Sequence, residues 1–223
     1  MSIHPSRILF QDAHFLAVHK LPGELVVKGK GEVGKLPLLD FLKKEFPGIH
    51  PLNRLDFDTS GIVLFARNRA VLQRMLEEKP PMRKVYRTLV IKDLPKDRGE
   101  ILFRLPSRAG KGDTDALTRY RVLARFGSCS SVEVEIQTGR HHQIRRHFQM
   151  LGHPLVNDPL YGDKKWNRRF IESTGFRKMF LHAAELSFND PFSGKSIKIA
   201  DPLPEVFGEA LKKIQHTHRS RDS

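Results

Sequence analysis

The 223-residue sequence predicts a mixed α/β or α+β fold and not a doubly wound parallel one. Strand-like and helix-like segments are interspersed without strict βαβ alternation. The chain carries neither a P-loop nor a Rossmann glycine fingerprint, and no repeat of fixed period. Its length and its 39% hydrophobic content suffice for one substantial core.

The elements follow in order. Ile8–Phe10 and Phe15–His19 flank a short polar turn and read as a hairpin, ended by Leu21-Pro22-Gly23. Pro37 to Phe46 places Leu38, Leu42 and Phe46 at helical spacing, with Pro47-Gly48 after them. Gly61 leads into Ile62–Phe65, a short β-rich apolar run that predicts a buried strand. Asn68 is a helix cap ahead of Val71, Leu72, Met75 and Leu76, all expected to face inward, and Pro80-Pro81 stops that helix. Lys84–Ile91 predicts a strand with Val85, Leu89 and Ile91 on one face and Tyr86 and Thr88 on the other. Strands near 101–105, 118–126 and 131–137 follow. Gly139 is expected to open a helix through Leu151, with Ile144, Phe148 and Leu151 on its core face and Gly152 and Pro154 ending it. Phe180–Phe188 predicts a strand and Leu203–Ile214 a last helix, followed by a polar tail from His216 to Ser223 that is expected to fray. Segments 23–35 and 106–117, rich in Gly, Lys and Asp, are expected to be mobile loops.

Charge narrows the partner. Thirty-nine basic against 25 acidic residues give a net +14, and 13 of those excess charges lie between residues 61 and 180, within segments that look folded. A disordered basic tail is therefore not the source. The balance favours a polyanion, nucleic acid ahead of anionic membrane. A single cysteine, Cys129, excludes an intramolecular disulfide and Cys-pair zinc patterns. The N-terminus shows no secretory pattern and Ile62–Ala66 is too short to span a bilayer, so a cytoplasmic setting with no membrane is expected.

Two segments carry chemistry. In Asn53-Arg54-Leu55-Asp56-Phe57-Asp58-Thr59-Ser60-Gly61, two carboxylates stand two residues apart in a turn-rich stretch before a strand. Three uses are open: Asp56 as nucleophile, Asp56 and Asp58 as magnesium ligands, or Asp56 as general base. The magnesium use, as in haloacid-dehalogenase-type phosphatases, wants an apolar strand ahead of the pair, and His50-Pro51-Leu52-Asn53-Arg54 matches it poorly. The second segment, residues 139–147, packs three histidines and three arginines into eight positions. His142 and His147 are five apart and no acid lies between 139 and 151, so the zinc-helix pattern fails and no metal is expected. On a helix His142, Arg145 and Gln149 would share a cationic side suited to phosphate.

Both segments, in this order, resemble the signatures of the RluA family of pseudouridine synthases. The match extends to Lys84-Val85-Tyr86, Gly152-His153-Pro154, Asp158-Pro159-Leu160-Tyr161-Gly162-Asp163, Leu181-His182-Ala183 and Asp190-Pro191-Phe192-Ser193-Gly194, running from about Ile8 to Phe207. Asn53 departs from the family's histidine, and the pattern does not decide between the tRNA-directed (TruC-like) and ribosomal-RNA branches. The resemblance implies an α+β pseudouridine synthase fold with a mixed, mostly antiparallel central sheet flanked by helices and loops. It implies one catalytic domain over residues 1–223, without a separate N-terminal RNA-binding module, acting as a monomer on a tRNA or rRNA stem-loop.

The implied reaction detaches uracil from ribose and rejoins it through carbon, so neither a cofactor nor a metal is expected. Asp56 is implied as the essential carboxylate, Arg145 as the guanidinium that keeps it ionised against desolvation, and Tyr86 as a ring that stacks on the base and a hydroxyl for proton transfer. Arg54, Arg140, His142 and Arg146 are the expected RNA contacts. A non-catalytic RNA-binding or chaperone protein on the same scaffold is the main alternative. A magnesium-dependent phosphohydrolase using Asp56 and Asp58 ranks below it.

Overall fold

The structure is a computed structural model that describes residues 3–29, 36–106 and 112–219. In chain order its elements begin with β1 (Ile8–Gln11), β2 (Phe15–Lys20), α1 (Leu38–Leu42), β3 (His50–Pro51), β4 (Ser60–Ala66), α2 (Arg69–Glu78) and β5 (Arg83–Ile91). They continue with β6 (Arg98–Leu102), β7 (Leu105–Pro106), β8 (Asp113–Thr114), β9 (Leu117–Arg125), β10 (Cys129–Ile136) and α3 (Gln143–Met150). The last are α4 (Lys164–Thr174), β11 (Leu181–Asn189), β12 (Ser196–Ala200) and α5 (Glu205–Arg219). The class is α+β, with mostly antiparallel strands, as expected. The chain divides into two compact units, one of residues 1–84 and 183–201, the other of 85–182 and 202–223.

In the first unit the sheet runs β1-β2-β4-β11, with β12 on β11 and β3 on β4. β1 and β2 form the expected hairpin, and β2 pairs antiparallel with β4 from Phe15↔Ala66 to Lys20↔Gly61. Every residue of β4 is buried. Alternation along it splits the core in two: Ile62 and Leu64 pack with Phe15, Ala17, Val71 and Met75, while Val63 and Phe65 pack with Leu16, Val18, Leu42 and Ile49. Asn68 caps α2 by accepting from the Val71 amide at 3.0 Å. Val71 and Met75 face the core as expected, but Leu76 is 55% exposed and corrects the inward expectation. α1 is shorter than the leucine spacing predicts, ending at Leu42 ahead of a run of turns.

In the second unit the order is β5-β10-β9-β6. β9 pairs antiparallel with both β10 and β6. Leu89 and Ile91 of β5 join Phe170, Phe176, Phe180 and Phe207 in an aromatic core under α4 and α5. Within the stretch expected to be a loop, β7 and β8 pair as a two-stranded ribbon, Leu105↔Thr114 and Pro106↔Asp113. Of the two loop expectations, residues 30–35 and 107–111 lie outside the described residues, as do residues 220–223 of the tail; residues 216–219, expected to fray, instead continue α5.

The largest departure is α3. It starts at Gln143, not at Gly139, because His142 takes the left-handed conformation (φ 55°, ψ 32°) immediately before it. Ile144 and Phe148 are buried as expected, whereas Leu151, at the C-cap, is 39% exposed. His142 therefore does not share a helical side with Arg145 and Gln149, which corrects that expectation. Among the described residues no helix is long and apolar enough to cross a membrane.

Candidate active site

Asp56 lies in the loop between β3 and β4, half-buried, two residues after the exposed Arg54. The start of this loop is held by the residue that breaks the family pattern. The Asn53 side chain donates to the Ile62 carbonyl at 3.2 Å and accepts from the Leu64 amide at 2.7 Å. The Leu52 amide donates to the Leu64 carbonyl, so the Asn53 amide group adds one more rung to the β3–β4 ladder. An amide suits the place because it presents a donor and an acceptor on one short side chain.

The far side of the loop is held by a residue that sequence reasoning missed. Lys20, the last residue of β2, is fully buried, and its Nζ donates to the carbonyls of Leu21, Phe57 and Thr59 at 2.9, 3.0 and 2.7 Å. All three ammonium protons are used, and two of the three acceptors flank Asp56 within three residues. Burial pulls the Lys20 pKa down to about 8, against the opposing pull of Glu24, Asp58 and Asp56. The available signal was a lysine closing a strand that is otherwise mostly apolar, directly before Leu-Pro-Gly.

The loop ends at Thr59, whose amide donates to the Asp56 carbonyl at 3.2 Å. Thr59 Oγ1 is buried with no hydrogen-bond partner among the described residues. Gly61 then adopts φ 115°, and a Cβ there would overlap the backbone of Ala183 on β11. Only glycine meets both conditions.

In the second unit the arginine-histidine segment is organised around two buried polar side chains. Gln143, 3% exposed, accepts from Thr138 Oγ1 at 2.8 Å and from the Arg140 amide at 3.1 Å. Its Nε2 donates to the Leu117 carbonyl and to Thr118 Oγ1 on β9. This pins the 138–142 turn to the sheet and leaves Arg140 and His141 exposed.

Arg145 is not on an exposed cationic face, since it is only 2% exposed. Its Nε donates to Asp158 Oδ2 at 2.7 Å and its Nη2 to Asp158 Oδ1 at 2.9 Å, a side-on bidentate pair. Asp158 Oδ1 also accepts from the amides of Leu160 and Tyr161 at 2.9 and 3.0 Å. Burial pushes the Asp158 carboxyl up, but the guanidinium and the two amides outweigh it and hold it below the ordinary carboxylate range. The guanidinium carbon stands 5.2 Å from the centre of the Tyr161 ring. Tyr161 Oη is 3.1 Å from His142 Nδ1, and the His142 ring stacks on His141.

Asp158 and Tyr161 thus belong with Arg145 and His142, a grouping that the spacing of residues 139–147 alone does not reveal. Tyr86 lies on β5, 8% exposed, and Arg146 is half-buried on α3. Among the described residues no three His, Cys, Asp or Glu side chains cluster closely enough to hold a metal ion.

Comparison with known proteins agrees with these motifs. A family model described as RNA pseudouridylate synthase matches residues 14–150. The Escherichia coli K12 protein named ribosomal large subunit pseudouridine synthase C is 34% identical over 228 aligned residues, covering 94% of this chain and 70% of that protein. Its namesake in Vibrio cholerae is 31% identical, covering 93% of this chain and 69% of the relative. Among solved structures, human RNA pseudouridylate synthase domain containing 4 superposes with a TM-score of 0.74 at 21% identity, over 94% of this chain and 93% of that one. Human RNA pseudouridylate synthase domain containing 1 gives 0.71 at 24% identity, over 99% and 98%. These two share the fold. The half-buried aspartate loop, the arginine segment and these matches together make the chain a member of the RNA pseudouridylate synthase family, of the RluA type that its motifs resemble.

Proposed function

We propose that this pseudouridine synthase isomerises a specific uridine of large-subunit ribosomal RNA, in the cytoplasm, as a monomer in which residues 1–223 serve as one catalytic domain. The relatives' names support the ribosomal substrate. Asp56 is the essential carboxylate, and Tyr86 and Arg145 complete the catalytic set. The observation that carries the reading is the loop of Asp56. Asn53 fixes its start to β4 and Lys20 grips its carbonyls on the other side, leaving Asp56 half-buried two residues after the exposed Arg54. Preorganisation of this kind places a reacting group at no cost during the reaction.

The reaction breaks the bond from uracil N1 to ribose C1′ and forms one from C5 to C1′, with the C5 proton lost to a base and a proton gained at N1. No electron is transferred to an outside acceptor, and an ionised carboxylate serves as nucleophile or base. The target uridine must leave its stack, which costs a few kcal/mol. Arg54 is assigned to the vacated position or its phosphate, and Arg140, His142 and Arg146 to the backbone.

Deleting the gene and mapping pseudouridines by carbodiimide-dependent primer extension across ribosomal and transfer RNA tests this. Loss of a large-subunit rRNA site, restored by the wild-type gene, is the expected result. An unchanged ribosomal map, or a site lost only from tRNA, overturns the substrate assignment.

A further inference from the structure

Residues 164–178 hold six cationic side chains against a single acid, Glu172, and so supply five of the chain's fourteen excess charges. Four of the six, Lys164, Lys165, Arg168 and Arg169, are exposed on the first two turns of α4. At 100° per residue they cover an arc of about 140°, away from the buried Phe170 and Thr174. Elsewhere in this unit, several arginines of the sheet are ion-paired: Arg87 and Arg121 share Glu133, Arg119 pairs with Glu100 and Arg125 with Asp97. Among the described residues none of the four α4 cations is within ion-pairing distance of a carboxylate.

Helix stability does not explain this placement. The positive end of a helix dipole favours acids in the first turn and bases in the last, and α4 has neither. The N-cap, Asp163, does carry a carboxylate, but its Oδ1 is engaged by the Trp166 amide at 2.9 Å. Self-repulsion and the dipole both oppose four cations there, and a bound anion would relieve both.

The patch is also fastened to the candidate site. The Gly162 amide donates to the Asp158 carbonyl, and Asn167 Oδ1 of α4 accepts from the Asn157 amide at 2.9 Å. A Cβ at Gly162 would overlap both Asp158 and Asn167. The first turns of α4 are thereby bolted to the loop that carries Asp158 and Tyr161, and Tyr161 reaches His142.

We propose that this face of α4 docks the phosphate backbone of an RNA helix flanking the target nucleotide. The proposal rests on RNA being the substrate and extends its footprint beyond the residues assigned above. Exposed lysines and arginines at irregular spacing suit phosphates, and the patch offers no aromatic platform for unstacked bases.

The test compares the wild-type protein with K164Q/K165Q/R168Q/R169Q, glutamine being a good helix former. Binding to a blunt RNA duplex without unpaired uridines is measured against salt, alongside turnover on deproteinised large-subunit rRNA and on a minimal target stem-loop. The expected variant melts no lower than wild type. Its log K against log salt slope on the duplex falls by roughly 3–4, the loss of about three or four phosphate contacts. KM rises about tenfold or more on the long RNA, while the stem-loop turns over as before. An unchanged duplex slope overturns the proposal, as does an equal loss on the stem-loop, which would put the face at the target itself. A wild-type protein that leaves rRNA unmodified would remove the substrate assignment instead, and the duplex slope would still decide the role of α4.

Discussion

Lys20 Nζ lies 2.7 Å from the carbonyl oxygen of Thr59, thirty-nine residues away, and with its bond to Phe57 it clamps the loop that carries Asp56. A buried ammonium whose three protons all meet backbone carbonyls is both costly and specific. It holds a loop in place from below, where no substrate can displace it.

Replacing Lys20 with methionine leaves three carbonyls without their donor. The expected loss is about 2–4 kcal/mol of stability, with turnover reduced more than RNA affinity, because the loop and not the RNA surface is loosened. Denaturant titration and single-turnover kinetics read the two effects. The pH dependence has a definite sign. The folded pKa of Lys20, about 8, is below the ordinary value of 10.5, so the unfolded chain binds more protons between those values. The stability linked to this group is complete above about pH 10.5 and is lost as pH falls through 8. The gap between wild type and Lys20→Met should therefore widen from pH 8 to 10.5. A constant gap contradicts the burial of a charged lysine.

Asp158→Asn removes the anion that two guanidinium nitrogens and two amides converge on. Breaking such a buried pair costs about 3–5 kcal/mol. Since the Asp158 carboxyl is held below the ordinary range, its contribution is complete above about pH 4 and fades as pH falls through its folded value. The difference between Asp158→Asn and wild type, followed by urea midpoints, should be full at neutral pH and shrink in acid.

Gly61→Ala combines a positive φ with overlap of the Ala183 backbone. Strain adds about 1–3 kcal/mol and overpacking about as much again. Thermal melts should show a far larger loss than Gly194→Ala, where φ is also positive but nothing lies within 4 Å of the added carbon.

Asn53→Ala frees the Ile62 carbonyl and the Leu64 amide from their side-chain partner, at a cost of about 1–3 kcal/mol. Hydrogen exchange at the Leu64 amide should quicken selectively. Protection equal to wild type there would mean that the amide rung carries no weight.

Much of this was legible in the sequence, where local rules suffice. The hairpin up to Lys20, the buried run of β4 and the Asn68 cap each follow from a few adjacent residues whose pattern admits one structure. Asp56 and the arginine segment were legible as motifs. The relationships that give these motifs their form were not. Arg145 reads as part of a solvated cationic face until the fold brings Asp158 against it, thirteen residues along. Periodicity placed the start of α3 four residues early because no local rule announces that His142 turns left-handed, and the buried Gln143 that holds the turn finds its partners on β9. Leu76 and Leu151 have helical spacing, yet no neighbouring element covers them well enough to bury them. Lys20 looked like the end of a strand because its acceptors are backbone carbonyls, which leave no trace in residue type.

Asp56, proposed as the essential carboxylate, is expected to be required for the chemistry and dispensable for RNA binding. Asp56→Asn keeps the size and most of the hydrogen bonding of the side chain and removes its charge. Single-turnover conversion of large-subunit rRNA, read by carbodiimide-dependent primer extension, together with binding of the same RNA, separates the two roles. Asp56→Asn is expected to give no detectable pseudouridine with affinity within about threefold of wild type, a difference below 1 kcal/mol. Conversion at the wild-type rate by Asp56→Asn would contradict the proposed role.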